Sequence, residues 1–116
     1  MVEFNTQDGT QRGMKFGTYT FQLINEIAGT TTTEEVFERL SGGGIEFASQ
    51  FYFACAKHYA LSKKQPVDFT ELDVMDWLDD LGPQEVTRIT TELLNTFTAK
   101  NLMAPKTQGP KEQVPQ

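Results

Sequence analysis

Apolar positions recur at three- and four-residue steps through most of this chain, and at two-residue steps only near its start. The most apolar window runs 45–61 and reads IEFASQFYFACAKHYAL. Ala48, Phe51, Tyr52, Cys55 and Tyr59 fall on one helical face there, and Phe47, Phe51 and Ala54 on a second. A helix that is apolar round most of its circumference has to be covered round most of it. The window therefore predicts a central core helix roughly 25 Å long. Glu46, Gln50, Lys57 and His58 interrupt it, and it falls short of the roughly 20 apolar residues of a spanning helix. A buried helix is expected, and no membrane span.

The elements around it follow from the same pattern. Val2 and Phe4 alternate with Glu3 and Asn5, Met14 and Phe16 with Lys15, and Asp8-Gly9 lies between them. That predicts a β-hairpin pairing about 2–6 with about 11–16. Tyr19, Leu23 and Ile27 predict a helix over 18–28, opened at Gly17-Thr18 and capped by Gly29. Four threonines follow, with Thr33 as the expected N-cap of a short helix over 33–40 whose buried edge is Val36, Phe37 and Leu40. Ser41-Gly42-Gly43-Gly44 stops it. After the core helix, Gln65-Pro66 breaks the chain. Thr70 and Asp73 then form a relative of the capping box for a helix over 70–81, with Phe69 placed to staple it. Its apolar stripe is Val74, Trp77, Leu78 and Leu81. Gly82-Pro83 separates it from a last helix over 83–101, built on Val86, Ile89, Leu93 and Phe97. The fold class is mainly α: a small bundle of about five helices around the 45–61 helix, with an N-terminal hairpin. One domain over 1–103 is expected, and a disordered tail over 104–116, where prolines and polar residues replace the apolar period.

Charge adds one feature. The chain of 116 residues has a net charge of −6. Residues 66–95 contain Asp68, Glu71, Asp73, Asp76, Asp79, Asp80, Glu85 and Glu92 against the single base Arg88. An acidic body repels phosphate backbones, so no nucleic-acid partner is expected. No secretory leader or lipidation pattern is read at either end, and the lone Cys55 allows no internal disulfide, which suits a reducing compartment.

Three patterns invite chemistry, and each has a simpler account. The triple glycine lacks the Gly-Lys-Ser/Thr ending of a phosphate loop and the G-x-G-x-x-G spacing of a dinucleotide loop. A turn between helices explains it. Cys55 and His58 share a helix face, but a catalytic pair needs an orienting third group and a zinc site needs three or four ligands. A buried thiol and a histidine at a polar edge are expected instead. The aspartates at 73, 76, 79 and 80 sit at helical spacing, not at the loop spacing of a calcium site. They read as a solvated face, with an acidic docking surface as the more interesting alternative. No catalytic, cofactor or metal site is expected, and no enzyme.

The order of segments resembles a known family. MKFG leads into a helix closing in INEIAG, then TTTTEEVFERL, then an aromatic and alanine-rich helix ending in YFACAKHYAL, then DFTELDVMDWLDDLGPQEVTRITTELL. Over about residues 14–100 this order resembles the phage tail assembly chaperones of long-tailed phages. The hairpin and the triple glycine depart from the family pattern. The resemblance implies a small helical protein of the host cell cytoplasm. It would bind the tape measure protein, keep it soluble until the tail tube polymerises around it, and be absent from the mature virion. Contact with the tail tube protein, self-association, and a longer frameshifted form extending the tail are also implied as open possibilities. The expected partner surface is the exposed edges of the helices at 18–28 and 70–81, with Asp73, Asp76 and Asp80 as its rim. The alternative is another phage structural or adaptor protein, such as a head–tail connector or a small host-interaction protein.

Overall fold

Period-two alternation at the start of the chain produces an antiparallel hairpin of β1 (Val2–Asn5) and β2 (Gln11–Met14). Helices α1 (Thr18–Ala28), α2 (Thr33–Gly42), α3 (Ile45–Ser62), α4 (Glu71–Leu81) and α5 (Pro83–Met103) follow. The computed structural model describes residues 1–42 and 44–103. The tail expected at 104–116 lies outside the described residues. The fold is mainly helical, with a two-stranded hairpin at its N-terminal end, as the pattern predicts.

Helix α3 is the centre. It packs against β2, α1, α4 and α2, while α5 packs on α4 and β1. Phe47, Phe51, Ala54, Cys55, Ala56, His58, Tyr59 and Ala60 are buried along it. Ala48 and Tyr52 are only partly buried, and Ile45 is 84% exposed, so the cover fails at the N-terminal end of the helix.

The small residues on α3 let the hairpin come very close. Lys15 donates its backbone N–H to the Cys55 carbonyl at 3.0 Å, tying the end of β2 to the middle of the helix. Gly13 lies directly over Tyr59. A Cβ at that position would stand 2.5 Å from the Tyr59 ring, inside any tolerable contact. Glycine is required there for close approach, since its φ is not in the left-handed range. The Tyr59 hydroxyl donates to Glu3 Oε2 at 2.6 Å, and Glu3 is the cross-strand partner of Gly13.

Two aromatic clusters flank this contact. In the first, the Phe16 ring lies 4.9 Å from Phe97, 5.1 Å from Phe21 and 5.2 Å from Phe51, with Phe37 at 6.2 Å. In the second, Trp77 sits 5.0 Å from Phe69 and 6.2 Å from Phe4, and Phe53 meets Phe69 at 5.9 Å. Arg12 closes the second cluster. Its guanidinium lies 4.8 Å from the Trp77 ring centre and 5.6 Å from that of Phe69, and donates to Asp68 at 2.9 Å.

The caps mostly follow the sequence. Gly29 caps α1 through its N–H to Asn25. Thr70 and Asp73 form the reciprocal box at the start of α4, at 2.8 and 3.2 Å. Helix α2 differs from expectation. Its N-cap is Thr32, not Thr33: the Thr32 hydroxyl accepts from the Glu35 N–H at 3.1 Å, the third position on, where a cap oxygen reaches. The helix also runs past Leu40 to Gly42, because serine and glycine tolerate a last turn. Only Val36 is buried on it. Phe37 was expected inside and is 37% exposed, although its ring edge meets the first cluster.

Candidate functional site

Of the aspartates expected to rim a partner surface, Asp73 is occupied at home. Its carboxylate accepts from the Thr70 N–H and starts α4. Asp76 and Asp80 are exposed, as is Asp79 between them. No hydrogen bond or ion pair engages Asp76, Asp79 or Asp80 among the described residues. The one base of this acidic stretch, Arg88, is committed elsewhere: it donates twice to Glu85 at 2.8 Å and pairs with Glu92. That pairing holds the Glu85 carboxyl below its ordinary range.

Beside these acids lies an apolar groove of about 330 Å³. Its walls come from three stretches far apart in sequence: Ile45 and Tyr52 of α3, Met75 and Asp79 of α4, and Pro83 and Val86 of α5. The turn at Gly82 sets the angle between the last two. Gly82 has φ +92°, a conformation that side chains rarely adopt, and its N–H caps α4 on Leu78 at 3.1 Å. Tyr52 is fixed in the wall by a hydrogen bond to Thr90 Oγ1 at 2.5 Å, and Thr90 donates in turn to the Val86 carbonyl.

At about 100° per residue, Leu72 and Asp76 lie next to Met75 and Asp79 around α4, and Asp80 and Asp73 are turned further away. Of these acids Asp79 lines the groove itself, and Leu72 and Asp76 lie on the helix surface beside it. Leu72 is 68% exposed and Ile45 84%, the two most exposed large hydrophobic residues described. The other expected edge, on α1, is less apolar: its main exposed apolar side chain is Tyr19, at 39%.

Cys55 and His58 do not form a reactive pair. Cys55 is fully buried, and burial pushes its thiol well above its ordinary pKa. His58 was expected at a polar edge and is instead buried, 2.7 Å through Nδ1 from the Thr20 hydroxyl. Thr20 also accepts from the Gly17 N–H at 3.0 Å and donates to the Lys15 carbonyl at 2.9 Å. One arrangement satisfies every partner: the Thr20 proton on Lys15 and an Nδ1–H on His58. Burial, then the nearby Lys15 charge, lowers the His58 pKa. The imidazole thus ties α1 to α3. The chain matches no protein-family model, no curated protein and no solved structure. Among the described residues no group of acids, His and Cys could hold a metal, and no helix is long and apolar enough to cross a membrane.

The groove escaped sequence reasoning because Ile45, Met75 and Val86 are each ordinary members of an apolar stripe. One signal was available. Leu72 falls outside the apolar stripe of its helix, and an apolar residue placed there has to be covered by something else or left in water.

Proposed function

We propose that this protein is a tail assembly chaperone of a long-tailed phage, which binds the tape measure protein and keeps it soluble while the tail tube assembles. The observation that carries the reading is the apolar groove beside unpaired acids. A protein that holds an aggregation-prone client needs apolar contact it does not bury in itself, and like charge to keep its own copies apart. Ile45, Leu72 and Met75 offer the first, and Asp76 and Asp79 the second. The order of segments from MKFG to ITTELL supports the same reading through its resemblance to the tail assembly chaperones. In this role the protein works in the host cell cytoplasm and leaves before the particle is finished.

The test is co-expression with the tape measure protein of a long-tailed phage that encodes this chain. The expected result is a soluble complex recovered on a tagged chaperone, together with absence of the protein from purified virions. Unchanged solubility of the tape measure protein and no recovered complex refute the reading. Stoichiometric presence in virions would replace it with a connector.

A further inference from the structure

We infer that the groove between α3, α4 and α5 takes one face of an amphipathic helix whose borders are lysine or arginine. The inference deepens the proposed function and rests on it for the identity of the partner. The backbone decides the occupant's form. The groove walls are side chains from three helices, and they offer no row of free N–H and C=O groups to pair an added strand. A helix satisfies its own backbone and presents apolar residues at three- and four-residue steps, which suits a slot of this kind.

Charge decides the occupant's sign. Asp79 lies in the last turn of α4, where the helix dipole is already negative, and that turn contains no basic residue. The start of α5 at Pro83 offsets part of this, but Asp76 and Asp79 have no cationic partner among the described residues, and Arg88 is held by Glu85 and Glu92. This is an unfavourable arrangement for the free protein, and a cationic border on the occupant relieves it. The same acids oppose a second copy of the chain, which would bring Asp76 and Asp79 against their like.

A direct test uses two synthetic fifteen-residue helical peptides of identical leucine spacing, one bordered by lysine and one by glutamate, followed by amide chemical shifts of the labelled full chain. The lysine peptide is expected to bind saturably and shift Ile45, Met75, Asp79 and Val86, and the glutamate peptide not to bind. Ile45→Ala with Leu72→Ala is expected to weaken binding at least about tenfold. Both side chains are exposed, so the fold keeps its melting temperature. Asp76→Lys with Asp79→Lys is expected to abolish binding while the melting temperature stays level or rises, because lysine suits the end of a helix. Equal binding of both peptides, shifts centred away from the groove, no binding by either, or concentration-dependent dimerisation through Ile45 each overturn the inference. The tape measure complex separates the two ideas. If it forms equally well with the groove variants, the groove assignment falls and the chaperone reading stands. If the lysine peptide binds as described and no tape measure complex forms, the chaperone reading falls and the groove keeps its basic helical ligand.

Discussion

The two aromatic clusters differ in what closes them. Around Phe16 every partner is phenylalanine, drawn from α1, α2, α3 and α5, and the cluster is held by area removed from water and by edge-to-face contacts. Around Trp77 the lid is Arg12, a cation over two rings and paired to an exposed aspartate. Its Nε is buried with no hydrogen-bond partner, so part of what the stacking contributes is lost to desolvation. The first cluster is a core, in which any loss leaves a cavity. The second is a seam between the hairpin and α4, and it tolerates revision. Strand β2 feeds both: Arg12 enters the seam, and Phe16, two residues past the strand, enters the core.

The sharpest way to break this comparison is to truncate its centre. Phe16→Ala is expected to cost about 3–5 kcal/mol in urea unfolding, enough to leave a domain of this size marginal. Gly13→Ala comes next. Its methyl meets Tyr59 from a strand held close to α3 by the Lys15–Cys55 bond, and a loss of about 1–3 kcal/mol is expected. Arg12→Met keeps the stem over Trp77 and removes the charge and the orphaned Nε together, so about 1 kcal/mol or less is expected in the same assay. A loss at Arg12 equal to that at Phe16 would mean that both clusters are cores. The smallest effect concerns pH. His58 has a lowered pKa in the folded protein, so its contribution is complete above its unfolded pKa and fades as pH falls through the folded value. Melting temperature should decline below about pH 6.5, and His58→Gln should flatten that slope. A slope unchanged by the substitution would assign it to the carboxylates.

Much of the architecture was legible because it is written locally. The periods of Ile89, Leu93 and Phe97, the Thr70–Asp73 box and the Gly29 cap each depend on residues within a turn or two of one another. What was not legible depends on distant pairs. Gly13 reads as a weak point in a strand until Tyr59 is placed under it. Nothing local to Arg12 announces its role, which appears only when the register sets it opposite Phe4, beside Trp77. His58 looked polar-edged because its apolar neighbours hid the partner, Thr20, 38 positions away. The candidate site shows the same division. Its acids were visible as a helix face, but which of them border a groove depends on the crossing of α4 with α3 and on the turn at Gly82. That geometry sets Asp79 in the groove wall.

The bond from Lys15 to the carbonyl of Cys55 also orders events during synthesis. The hairpin leaves the ribosome well before the surfaces that hold it: Cys55 and Tyr59 under β2, and Trp77 beside Arg12. An isolated pair of strands is marginal in water, so the opening residues have to wait for the chain to reach the end of α4 before they settle. A segment made before the helices is thus among the last to be fixed.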